Sequence, residues 1–253
     1  MTTDTAAPPT EREPELRGQT VVLIGGSAGI GLETARRARV EGAEVILTGR
    51  NPERLEGVGS EVGALSTATF DANDPSALEA FFEGLSRPID HVLVTAGGPY
   101  YARLADIDFD EAGQALQKHP MLMVGVARYG APRVRPGGSL LFMGGTGGRR
   151  PSVGVGITSA LTAALPALTA SLALEIAPVR INLIAAGFVD TPLSASLLGD
   201  QLEERRKELR AKLPIGRVVG SADVAALAVH LMINTALTGA TYDIDGGQQL
   251  IAG

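Results

Sequence analysis

The sequence predicts an α/β fold in which helices wrap a parallel, doubly wound sheet, and three observations carry that prediction. Short apolar runs alternate with longer helix-like stretches along the chain. Most of the runs are nearly continuous in Val, Ile and Leu, as strands buried on both faces are. The first run, Thr20–Ile24, passes directly into a glycine-rich turn and then a helix. Strands alternating with helices at this spacing form a parallel sheet.

Residues 1–16 are polar and proline-bearing, with no apolar centre, so they are expected as a disordered tail before a single domain, 17–253. Thr20–Ile24 opens the sheet. Glu44–Thr48, Ala64–Phe70, His91–Thr95, Ser139–Met143, Arg180–Ile184 and Thr241–Ile244 follow as further strands. Val153–Ala177 reads as a long helix whose Ala, Ser and Thr suit close helix–helix contact. Pro166 removes one of its hydrogen bonds, so a distortion near Thr162 is expected. Asp200–Lys212 breaks the rhythm. It is strongly charged, with sparse leucines, and reads either as a solvated surface helix or as a mobile lid.

Composition excludes several classes. A length of 253 residues needs no second domain. The net charge of −6 argues against nucleic acid and anionic membranes as partners. No apolar run is read as long enough to cross a bilayer, and a cytoplasmic location is expected. The chain has no cysteine and its histidines, His91, His119 and His230, are scattered, so no metal site is expected.

The turn after the first strand is Gly25-Gly26-Ser27-Ala28-Gly29-Ile30-Gly31. Glycines there permit positive φ and a close approach of backbone to a diphosphate, and the N–H groups at the helix start favour the anion. Gly31, Ala35 and Ala38 share a small helical face that lets the helix pack tightly on the sheet. The second strand ends at Gly49 and Arg50, where a site for NAD usually has an acid; arginine can fork onto a 2′-phosphate instead, so NADP is favoured, with NAD as the alternative. Asp71 reads either as an adenine contact or as a turn residue.

These segments resemble the short-chain dehydrogenase/reductase family over nearly the whole chain. The further carriers are Thr95-Ala96-Gly97-Gly98, Leu172-Ala173-Leu174-Glu175, Arg180-Ile181-Asn182, Gly187-Phe188-Val189-Asp190-Thr191-Pro192 and Asp245-Gly246-Gly247. The resemblance implies a Rossmann-type, seven-stranded parallel sheet in three layers. It also implies carbonyl or alcohol substrates and homodimers or homotetramers built on long helices. By the same resemblance Gly25, Ser27, Gly29, Ile30 and Gly31 hold the cofactor's diphosphate and nicotinamide side. Arg50 and Asp71 address its adenosine, Ala96 and Gly97 its ribose, and Gly187, Val189 and Thr191 its carboxamide.

The family's catalytic residues do not carry over. Its tyrosine falls on Thr158, its lysine on Thr162, its serine on Gly145 or a neighbour, and its asparagine near Leu122. No slip of register rescues the couple: Leu104, Ala105, Arg133 and Gly246 stand four residues after Tyr100, Tyr101, Tyr129 and Tyr242. His119, one turn before Leu122, reads either as a substitute acid or as a capping or surface histidine, and Pro120 after it disfavours the helical conformation that would face it toward the site. Tyr100 and Tyr101 read as pocket wall or acid, and Arg149 and Arg150 as anion contacts or surface. Two readings therefore stand: an atypical NADP-dependent oxidoreductase, or an inactive NADP(H)-binding module such as a redox sensor or partner subunit.

Overall fold

The computed structural model describes residues 15–150 and 152–251. Its elements alternate as expected: β1 Thr20–Ile24, α1 Gly29–Val40, β2 Glu44–Gly49, α2 Pro52–Val62, β3 Ser66–Thr69, α3 Pro75–Glu83 and β4 Ile89–Val94. Then come α4 Phe109–Gly125, β5 Val134–Gly145, α5 Gly156–Glu175, β6 Arg180–Ala186, β7 Val189–Asp190 and α6 Pro192–Leu198. The chain continues with α7 Leu202–Lys212, β8 Val219–Gly220, α8 Ser221–Ile233 and β9 Thr241–Ile244. A seven-stranded sheet, ordered β3-β2-β1-β4-β5-β6-β9, is parallel throughout.

The continuous apolar runs follow from two cores. Val22 and Ile24 of β1 face one core with Val92, Leu140, Phe142 and α3–α5; Val21 and Leu23 face the other with Leu47, α1, α2 and α8. Ala35 and Ala38 are fully buried where α1 packs against the sheet and α8. Strand order reverses between β1 and β4, so the crevice at their C-terminal ends is the switch point of the sheet, where ligands of such folds bind.

Several expectations are corrected. The third strand is shorter and mostly exposed, because it is an edge strand bonded to β2 alone. The two-residue strands β7 and β8, paired in a small sheet of their own, are too short to leave a periodic signal. Residues 1–14 of the expected tail lie outside the described residues, but Leu16 is fully buried and its N–H donates to the Glu41 carbonyl at 2.9 Å, so the folded chain begins before 17. Helix α5 runs unbroken through Pro166. At 20 residues it is also long and apolar enough to cross a bilayer, which its interspersed Thr and Ser conceal. Leu161, Leu165 and Leu172 instead pack one of its faces against the sheet.

Candidate cofactor and active site

The glycines of the first turn are forced by packing. Gly25 has φ +97°, and a Cβ there would lie 2.7 Å from the Ala96 nitrogen and 2.8 Å from the Thr95 hydroxyl. A Cβ on Gly31 would collide with the Gly25 carbonyl oxygen. Thr95 fixes that carbonyl by donating to it at 3.0 Å. Helix α1 begins without a side-chain cap and without an acid in its first turn. Its first N–H groups are thus free to meet an anion.

On the adenosine side, Gly49 leaves room for Ser27, whose hydroxyl would be 3.3 Å from a Cβ at that position. Arg50 is exposed and makes no ion pair among the described residues. The Asp71 carboxylate accepts the Asn73 backbone and side-chain N–H groups, both at 3.0 Å. Those bonds, with the charges of Arg50 and Lys118, hold it below the usual carboxylate range. Lys118 is a cation of this corner that the turn pattern did not signal.

On the other side, Ala96 and Gly97 continue β4 over the crevice, and Gly97 has φ +114°. Gly187 is pressed against Asp245, 2.6 Å from a built Cβ to the Asp245 Cβ. Val189 is buried. Thr191 caps α6 through the Ser194 N–H at 3.2 Å and stands 3.7 Å from a Cβ built on Gly29. The segment after β6 thus leans over the glycine turn beside Ile30. Leu193 extends it to within 3.9 Å of a Cβ at Gly98. Sequence reasoning missed Leu193, whose only signal is the apolar stretch after Thr191.

Three of the positions expected for catalytic residues, Gly145, Thr158 and Thr162, come together, but their polar groups are spent. The Thr158 hydroxyl donates to the Tyr100 carbonyl at 2.6 Å and accepts the Tyr100 N–H at 3.1 Å. Thr162 donates back to the Thr158 carbonyl of its own helix at 2.9 Å. Gly145 faces the Thr162 methyl, 3.2 Å from a built Cβ. A cavity of about 220 Å³ adjoins both, lined also by Ala163, Pro166, Leu183 and Ala185.

His119 and Leu122 lie within one continuous α4, which contains Pro120. They point differently: Leu122 belongs to the core, whereas His119 reaches the crevice beside Gly97, with Nδ1 3.2 Å from a Cβ built there. His119 Nε2 lies 2.8 Å from the Met143 carbonyl, so that nitrogen carries the hydrogen and donates. Burial pushes its pKa below the usual histidine range, outweighing that bond. At neutral pH Nδ1 is then an acceptor, not an acid.

Other candidates are tied elsewhere. The Tyr100 hydroxyl accepts the Asp108 N–H at 3.0 Å, while Tyr101 is 55% exposed. Arg149 forks onto Asp243 at 2.6 and 2.5 Å, and Arg150 donates to the Gln248 carbonyl at 2.8 Å. The charged segment is helix α7, held against β7 by Arg206 and Asp190 at 2.7 Å.

A family model described as enoyl-(acyl carrier protein) reductase matches residues 25–249. The chain is 30% identical to the short-chain dehydrogenase/reductase ATR9 of Stachybotrys chlorohalonatus, over 92% of this chain and 98% of that protein. The MalC reductase/Diels-Alderase of Malbranchea aurantiaca superposes with a TM-score of 0.86 at 24% identity, over 94% of this chain and 99% of that one, and so shares the fold. A small-chain dehydrogenase in complex with NADPH superposes with a TM-score of 0.79 at 26% identity, over 92% of this chain and 99% of that chain.

Proposed function

The chain belongs to the short-chain dehydrogenase/reductase family, and from that premise we propose that it is an NADP-dependent oxidoreductase of carbonyls or alcohols that works without the family's tyrosine and lysine. The observation that carries this reading is the contrast between a packed, uncapped glycine turn and a catalytic corner whose hydroxyls are bonded inward. The turn fits a dinucleotide, because any Cβ at Gly25 or Gly31 would fill the backbone cradle. Gly25, Ser27, Gly29, Ile30 and Gly31 would hold the diphosphate, Arg50 and Asp71 the adenosine, and Ala96, Gly97, Gly187, Val189 and Thr191 the nicotinamide half. NADP(H), when bound, supplies or accepts the hydride.

The protein's own contribution is position. Orientation alone can supply about 7–11 kcal/mol of a barrier, whereas a proton donor typically adds about 10²–10⁴-fold, so losing the tyrosine slows this chemistry without forbidding it. His119, neutral with Nδ1 bare, suits accepting a proton or a hydroxyl hydrogen bond at this site. Thr158 holds the Tyr100 loop in place.

The test is NADPH consumption, and NADP reduction, across a broad panel of ketones, enones, quinones and alcohols. Turnover with any of them supports the reading; bound cofactor with no turnover across the panel favours the second. In that reading the chain is a binding module, a redox sensor or partner subunit, and the spent hydroxyl of Thr158 is what favours it. We further propose a homodimer or homotetramer through α5, whose outer face leaves Leu174 85% exposed. A cysteine-free chain gains nothing from an oxidising compartment, which suits the cytoplasm.

A further inference from the structure

Three segments frame the mouth of the crevice: 95–103 after β4, 152–158 before and into α5, and 191–198 through α6. The first two are stitched together by the Ala102 N–H donating to the Gly154 carbonyl at 3.0 Å and by the Thr158–Tyr100 clamp. The third closes from the other side where Leu193 approaches Gly98. Around this mouth Tyr101, Leu104, Val153, Leu193 and Leu197 are 55, 89, 80, 48 and 49% exposed, an unusual concentration of apolar side chains in water.

Charge is missing from the same surface. No Asp, Glu, Lys, Arg or His occurs in 95–102, 152–174 or 191–199. Of the ionised neighbours, Arg149 is paired with Asp243 and Asp190 with Arg206, while Arg150 donates one bond to the Gln248 carbonyl and keeps its charge. Among the described residues of the three segments, Arg103 is the remaining cation.

We propose that the substrate enters as a free, uncharged and predominantly apolar small molecule, and not as a thioester on coenzyme A or on a phosphopantetheine arm. This rests on the oxidoreductase reading and specifies its substrate class. The phosphates of such carriers need several cationic or N–H partners, and this mouth offers two arginines, Arg103 within it and Arg150 at its margin, on a chain of net charge −6. An alkyl chain needs only apolar surface, which the five side chains provide.

The test is calorimetric binding to the NADP-saturated protein, using 2-alkanones from butanone to undecanone, alkanoates of matching length, and acetoacetyl-coenzyme A. Ketone affinity is expected to rise roughly threefold to fourfold per added methylene until the mouth is filled. The carboxylates and the thioester are expected to bind at least about tenfold more weakly. Val153→Asp, a change at an exposed side chain, should remove most of the chain-length gain. Tighter binding of the thioester, ketone affinity independent of length, or no ketone binding at all overturns the proposal. Length-dependent binding leaves it standing whether or not a 2-alkanone is turned over, and the oxidoreductase reading is decided separately by turnover across the full panel of ketones, enones, quinones and alcohols.

Discussion

The two halves of the crevice, both at the C-terminal ends of the strands, treat their polar groups in opposite ways. Around Gly25–Gly31 most side chains are reduced to hydrogen or methyl, Ser27 and Ile30 apart, and the helix start is left uncapped, so backbone N–H groups remain for a partner. Around Gly145, Thr158 and Thr162 the hydroxyls are satisfied by carbonyls of the protein itself. An open donor set is thus paired with a closed one. Buried polar groups cost free energy unless paired, so the closed corner contributes stability while the open corner is paired when its ligand arrives.

The largest expected effect breaks the open half. Gly31→Ala places a methyl on the Gly25 carbonyl, so either that carbonyl leaves its Thr95 bond or α1 shifts. NADP affinity is expected to fall about 100-fold and stability by roughly 1–3 kcal/mol, read by calorimetry and thermal melting. Unchanged NADP affinity would mean that the turn is merely tight.

A smaller effect sharpens the same half. Hydrogen bonds to charged groups are worth about 1.5–3 kcal/mol, so Arg50→Ala should weaken NADP by about tenfold or more and leave NAD unchanged. Equal loss for the two dinucleotides would assign Arg50 to the shared part of the cofactor, and no loss for either would leave Lys118 as the cation that addresses the phosphate.

How far each half is legible in the sequence follows from the range of its interactions. The glycine turn is local: strand, turn and helix start lie within twenty consecutive positions or so, and the strand pattern fixes their geometry. In the other half only an absence is legible: no lysine stands four residues after any tyrosine. What stands there instead is not legible. The Thr158 clamp joins residues 58 apart, and Arg149 meets Asp243 across a separation of 94. Pro120 counts against His119 by a local rule that tertiary packing of α4 overrides; only the fold shows Leu122 turned to the core and His119 to the crevice. The edge strand β3 is shorter than the run Ala64–Phe70 suggests, because composition does not reveal that β2 is its sole partner.

The smallest effect probes the closed half. Thr158→Val keeps the shape of the side chain but removes the hydroxyl that serves both the N–H and the carbonyl of Tyr100. Tyr100 is also held by its own hydroxyl at the start of α4, so the loop would loosen at one of two fastenings and not detach. The expected cost is roughly 1–2 kcal/mol in chemical denaturation, with NADP affinity unchanged because the glycine turn is untouched. On any substrate that turns over, KM should rise as the loop bearing Tyr101 becomes less fixed, while kcat holds, since a hydroxyl bonded to backbone on both sides has no proton to give. The opposite pattern, full stability with kcat collapsed, would show Thr158 leaving Tyr100 to act on the substrate, and the contrast between the two halves would then belong only to the free protein.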